Sequence, residues 1–386
     1  MSLLDRFKSA GPKRILALDG GGIRGALTLG YLQKIEDILR EQNGNNPDFR
    51  LCDYFDLIGG TSTGSIIAGC LAIGMKVDEI KEKYFVLGGE IFAKKKSWWA
   101  VGKLALLDKA AFDVRPLEQQ LQTLFGDITM GSDKIKTGLC VVTKRADTNS
   151  TWPIINHPLG KYFDSTDGNN KDIMLWKAIR ASAAAPTYFV PESVNVGGGM
   201  SDAAFVDGGV SMANNPSLQL LMVATLQGFP FHWKMGADNI LIVSVGTGNS
   251  VIHKLPKQIT ESIAISWAES VPNMLMQDAS ILNQTILQWM SQSPTALSID
   301  GEIGALENDL IPGPDKKGLI SYLRYNTMLT ADNLESLMGQ PYTSDQVDYL
   351  VEMSHTDNRF VLYDIGFKAG EREIAPDHFP NAFKIG

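Results

Sequence analysis

Three short stretches dominate what this chain can fold into: Asp19-Gly20-Gly21-Gly22-Ile23-Arg24-Gly25, Gly60-Thr61-Ser62-Thr63-Gly64 and Asp207-Gly208-Gly209. Each follows a short apolar run and precedes a helical one. Arg14–Leu18, Tyr54–Gly59 and Ala203–Val206 read as buried strands. Ala26–Leu39, Ser65–Ile73 and Ser217–Met222 read as helices, the first with Leu32, Ile35 and Leu39 at helical spacing. Gly138–Thr143 and Asn239–Gly248 read as further strands. Such alternation predicts an α/β fold, a mostly parallel central sheet with helices on both faces. Glycine turns at strand ends are where open sheets of this kind collect their ligands.

Each stretch supplies a different chemistry. Ser62 sits on a strand–turn–helix junction, the setting of a nucleophile elbow. Gly60 and Gly64 keep that junction free of side chains, so strand and helix can approach closely. The loop Gly20, Gly21, Gly22, Ile23, Arg24, Gly25 offers backbone N–H groups at a helix start, suited to a developing oxyanion. Asp207, followed by Gly208 and Gly209, offers a carboxylate as base. Asp202 is a second carboxylate nearby. Arg24 has two readings, a positive charge for the anion cradle or an ion pair that holds the loop's shape. Gly20, Gly22 and Gly25 also match the dinucleotide-binding pattern G-x-G-x-x-G. An oxidoreductase of that kind places an acidic residue about twenty positions on, after a second strand. The sequence has the polar run Asn43–Asn46 there.

Taken in order, D-G-G-G-x-R-G, G-T-S-T-G and D-G-G resemble the patatin-like phospholipase family. Arg180-Ala181-Ser182-Ala183-Ala184-Ala185-Pro186-Thr187-Tyr188-Phe189 and Leu323-Arg324-Tyr325-Asn326 are similar to segments of the same family. The resemblance covers roughly residues 12–250 as a catalytic core. It implies a Ser–Asp dyad that cleaves fatty acyl esters of membrane phospholipid through an acyl-enzyme intermediate. Ser62 is then the nucleophile, Asp207 the base and Gly20–Gly25 the oxyanion hole, with no cofactor and no metal. Some bacterial members are switched on by cyclic nucleotides in antiviral defence, which gives a ligand-gated alternative. Residues 251–386 match the pattern less clearly and read as a helical extension packed on the same domain.

A hydroxyl nucleophile needs a base within reach, and histidine is the usual one. The five here, His157, His232, His253, His355 and His378, lack motif-like flanks, although the order Ser…Asp…His would admit His232 or a later one as base in place of Asp207. The net charge of −8 argues against a nucleic-acid polymer as partner. Cys52, Cys70 and Cys140 lie far apart in apolar runs and read as buried thiols of a reducing compartment. The N-terminus lacks a signal-peptide core, and no apolar run reaches the ~20 residues that span a bilayer. The expectation is a cytoplasmic protein, peripheral to the membrane when active. Lys94, Lys95, Lys96, Trp98 and Trp99 read either as a membrane contact or as a solvated basic turn with inward tryptophans. Apolar positions from Ile263 to Trp289 read as helical core, as a cap over a lipid pocket or as a partner surface.

Overall fold

The computed structural model describes residues 2–91, 110, 112–197, 202–250, 260, 264–313 and 316–385. Its strands are β1 (Lys13–Leu18), β2 (Leu57–Thr61), β3 (Gly138–Arg145), β4 (Ser150–Ile155), β5 (Glu192–Val194), β6 (Ala203–Asp207), β7 (Ile240–Val245) and β8 (Ser321–Tyr325). They form one sheet in the order β5-β6-β3-β2-β1-β7-β8, with β4 also paired to β3. The run from β3 to β8 is parallel, and β4, β5 and β6 pair antiparallel at the other end.

The continuous apolar character of β1 follows from its central place. Leu16 and Leu18 face one core, with Ile58, Val141 and Val243, while Ile15 and Ala17 face the other, with Leu57, Cys140 and Ile242. Parallel strands covered on both faces have no side to leave polar. The helices that carry the site are α1 (Gly25–Gln42), α2 (Thr63–Ala72), α3 (Val77–Ile91), α4 (Leu175–Ser182), α5 (Ser217–Thr225), α6 (Ala264–Trp289), α7 (Ser344–Val351) and α8 (Arg359–Glu373). α1 and α2 belong to the first core, and α5 and the end of α6 to the second.

The part after residue 250 is mostly helical, and it also enters the layers of the sheet. β8 pairs along β7, from Leu241↔Ser321 to Val245↔Tyr325. α8 packs along α1, and the two backbones touch where glycines face each other. A methyl group on Gly366 would strike the Leu27 carbonyl, and one on Gly30 would strike the Tyr363 carbonyl. Residues 12–250 therefore lack one edge of the sheet and the helix that covers α1. β4 is a strand that its own sequence does not announce. It alternates weakly and carries Pro153, a residue uncommon inside sheets, and its stability comes from pairing with β3.

β8 also brings a charge into the interior. Arg324 meets Asp19 side by side, Nη1 to Oδ1 at 3.0 Å and Nη2 to Oδ2 at 2.6 Å, with both residues buried. Nη1 also donates to Ser244 Oγ at 2.7 Å. Asp19 is the first residue after β1, so this ion pair ties the start of the glycine loop to the far edge of the sheet. Replacing Arg324 with Met is expected to leave a buried, unpaired carboxylate and to cost about 3–5 kcal/mol of stability, read from urea unfolding. A change below about 1 kcal/mol would show that the pair is dispensable.

Candidate active site

Ser62 joins β2 to α2 with φ 53° and ψ −124°, a left-handed backbone uncommon outside glycine. Such strain costs on the order of 1–3 kcal/mol and persists only where its surroundings enforce it. The enforcement is visible. A Cβ on Gly60 would overlap the backbone of Gly64, and one on Gly64 would overlap the Leu18 carbonyl. The Ser62 N–H donates to Ser182 Oγ at 2.8 Å, and Ser182 Oγ donates to the Val142 carbonyl at 2.6 Å. Ser182, the last residue of α4, thus pins the elbow to β3. Sequence reasoning gave it no role, although it stands within the Arg180–Phe189 stretch already singled out.

β3 decides where the carboxylate lies. β4 fills one edge of β3 from Cys140 to Arg145. On the other edge β2 ends with Thr61 opposite Val142, and β6 begins its pairing with Asp207 opposite Thr143. Adjacent residues of one strand therefore set Ser62 and Asp207 against each other, although 145 positions separate them in sequence. The Ser62 hydroxyl faces the Asp207 carboxylate at one cavity. Asp207 Oδ1 also accepts the Gly209 N–H at 2.7 Å. Burial raises the Asp207 pKa from its ordinary value to about 6, against the opposing pull of the Ser62 hydroxyl and the Gly209 N–H.

The glycine loop can be accounted for donor by donor. Gly20 N–H goes to the Asn214 carbonyl at 3.0 Å, Ile23 N–H to Met353 at 2.9 Å and Arg24 N–H to Gly21 at 3.2 Å. Gly25 N–H goes to the carbonyls of Gly22 and Ile23. Among the described residues, only the N–H groups of Gly21 and Gly22 in this loop lack a protein acceptor. Two of the six residues expected to form the cradle thus keep a free N–H, because the other N–H groups hold the loop in place. Tyr84 on α3 fixes the pair. Its buried hydroxyl donates to the Gly22 carbonyl at 2.6 Å and lies 2.6 Å from Thr63 Oγ1, which links the loop to the elbow. Gly22 needs its freedom, since it has φ +57° and a side chain would meet the Met353 carbonyl.

Ser62, Asp207, Gly21 and Gly22 border a cavity of about 740 Å³. Ile66, Leu87, Ile91, Leu117 and Phe189 supply apolar wall. Volume and lining suit an elongated apolar ligand with one polar end held at the serine. Arg24 is turned away from it, into a separate cavity of about 310 Å³ on the other side of the loop. Burial lowers its pKa, and the carboxylates of Glu352 and Asp19 oppose that shift. Its Nη1 donates to the Gly248 carbonyl at 3.4 Å, which braces the loop through the backbone rather than through a direct ion pair.

Several expected rivals lie elsewhere. Asp202 is exposed and accepts from Ser193 and Asn195. His157 is buried between Phe7 and Phe231, His355 stacks on Tyr349, His378 sits beside Tyr325 and His232 reaches the Gln227 carbonyl. None of these four lines the cavity. His253 and the segment with Lys94, Lys95, Lys96, Trp98 and Trp99 lie outside the described residues. The dinucleotide reading needs an acidic residue at the end of β2, and Thr61 and Ser62 stand there. Among the described residues, no helix is long and apolar enough to cross a membrane.

This arrangement has known counterparts. The family model described as patatin-like phospholipase matches residues 16–221, more than half of the chain, and the chain belongs to that family. It is 35% identical over 209 residues to a cGAMP-activated phospholipase of Vibrio cholerae, covering 53% of this chain and 55% of the relative. It is 30% identical to a second cGAMP-activated phospholipase, from Escherichia coli, covering 61% and 62%. Patatin-17 of Solanum cardiophyllum is 29% identical, covering 66% and 64%. The chain thus spans a little over half to under two thirds of these relatives' length.

Two outcomes follow for ester turnover at this site. Gly22→Ala is expected to lower kcat about 10²–10³-fold while leaving KM nearly unchanged, because the displaced donor acts on the tetrahedral state more than on the bound ester. A KM effect alone would assign the loop to substrate binding. For pH, a base must be ionised, and a raised carboxylate pKa moves the loss of the ionised form upward. The acid limb of kcat/KM should therefore fall at about pH 6. An unperturbed aspartate would place it near 4.

Proposed function

We propose that this chain is a lipid acyl hydrolase of phospholipase A type, acting on fatty acyl esters of membrane phospholipids. The observation that carries the reading is the Ser62 hydroxyl set beside the buried Asp207 carboxylate at the edge of a large apolar cavity. Ser62 Oγ attacks the ester carbonyl carbon as its proton passes to Asp207. The resulting oxyanion lies against the N–H groups of Gly21 and Gly22. Collapse breaks the bond to the alcohol, which leaves as the lysolipid and takes the proton from Asp207. Water then attacks the acyl-Ser62 ester and gives its proton to Asp207. The second tetrahedral state collapses, fatty acid departs and Ser62 recovers its proton. A neutral ester gains charge only at the carbonyl oxygen, so two oriented donors and one base match the demand.

The family, the apolar cavity and the names of the relatives support this reading. The protein would work as a cytoplasmic enzyme that meets the membrane from its surface. A second reading adds gating by a cyclic nucleotide. It is favoured by the names of the two bacterial relatives and by the small cavity next to the glycine loop, which shares Gly20, Asn214 and Met353 with the loop's surroundings. One experiment serves both readings. Phospholipid vesicles are incubated with wild-type, Ser62→Ala or Asp207→Asn protein, with and without added cGAMP, and the lipids are resolved by mass spectrometry. Wild-type protein is expected to release fatty acid and lysolipid. Each single variant, and equally the double variant, should lose nearly all of that release, since the two residues act as a unit. Substantial release by Asp207→Asn would remove the dyad from the mechanism. Release that rises with cGAMP would support gating, and release indifferent to it would not.

A further inference from the structure

We propose that the outward face of α6 is the surface on which this protein rests against a lipid bilayer. α6 lies across the turn that follows Asp207. Asn283 Nδ2 donates to the carbonyls of Met212 at 2.8 Å and Asn215 at 3.0 Å, and Met276 forms part of the wall of the apolar cavity. These contacts fix which side of the helix is buried. The opposite side carries an apolar stripe, with Asp278 and Thr285 along one margin. Val271, Leu275, Leu282 and Trp289 fall within about 40° of arc at 100° per residue, and all four are exposed. Leu275 is 62% exposed and Trp289 48%. Met274 and Ile281 flank this stripe, and Met212 and Val210 are exposed beside the helix. Val210 also borders the apolar cavity. One apolar surface therefore leads from the cavity wall to the free face of α6.

That continuity points to lipid as the occupant. An acyl chain leaving a bilayer for the cavity would meet the exposed side chains of α6 first and then Val210 and Met276 at the cavity wall. A second copy seated on this face would cover the rim of the cavity instead. The charge pattern narrows the kind of bilayer. α6 contains no Lys or Arg and two acids, Glu269 and Asp278, in a chain of net charge −8. Attraction to anionic headgroups is therefore not what holds this face. Insertion of apolar side chains, with a tryptophan at the headgroup level, is sufficient for an interfacial helix. The inference rests on the acyl hydrolase reading for its substrate, but not for its binding.

The test uses full-length protein carrying Ser62→Ala, so that vesicles stay intact, and sedimentation with phosphatidylcholine vesicles. Binding is expected without anionic lipid and should change little with salt. Leu275→Ser, Leu282→Ser and Trp289→Ser together should weaken partitioning by about tenfold or more, given the transfer energy of buried apolar side chains. The same three changes in active protein should leave hydrolysis of a soluble short-chain ester unchanged, which also reports an intact fold. Asp278→Leu enlarges the apolar face without truncating anything and should tighten binding. Unchanged partitioning of the triple variant would overturn the proposal. So would binding that requires phosphatidylglycerol and disappears in salt. A triple variant that turns a dimer into a monomer while still binding vesicles would assign the face to a second copy. Should the face bind vesicles while active protein releases no fatty acid from them, with or without cGAMP, the hydrolase reading fails and the docking face stands.

Discussion

The site depends on one edge of one strand. β3 carries β2 along its first half and β6 along its second, and the change of partner falls between Val142 and Thr143. β2 must stop there because the chain turns sharply at Ser62, and β6 can start there because β2 has ended. Hydrogen-bond register therefore sets the serine and the aspartate side by side, with little left to side-chain flexibility. Ser182 reads the same strand, since its hydroxyl is held by the Val142 carbonyl while it holds the Ser62 N–H. A slip of β6 by one residue would turn Asp207 to the opposite face of the sheet.

Around this junction the backbone donors are divided between support and function. Most N–H groups of the glycine loop are spent on Asn214, Met353 and the loop itself, and two remain directed to no protein acceptor. That division depends on distant parts of the chain. Arg324 on β8 anchors Asp19 at the base of the loop, and Met353, just beyond α7, closes over its crest. The region after residue 250 is therefore part of the machinery that shapes the loop, and it belongs to the same layered fold as the motifs.

Burial supplies the chemistry that composition does not. A carboxylate with an ordinary pKa is a poor partner for a serine hydroxyl, and enclosure of Asp207 makes it a stronger base. Enclosure also removes water that would screen the oxyanion. The cavity that opens from the serine is walled by α2, α3 and the segment after α4, so apolar side chains that stabilise the first core also line the cavity.

The sequence by itself determined the sheet's central strands, the elbow at Ser62 and the carboxylate at Asp207. Each is encoded locally, by apolar runs that end in glycines, and local encoding survives without knowledge of the partners. It left Asp202 and five histidines as rival bases, because nothing local says which titratable group meets the serine. It also left Arg24 between two roles and gave none to Ser182, Tyr84 or Met353, whose parts are played through hydrogen bonds to residues far along the chain. β4 and β8 were not read as strands, since Pro153 and the buried Arg324 disguise them and pairing with β3 and β7 creates them. Tertiary structure alone decided which two N–H groups stay free, how far burial lifts Asp207 and which face of α6 looks outward. Those properties belong to contacts between elements, and they come into being only when the sheet is assembled.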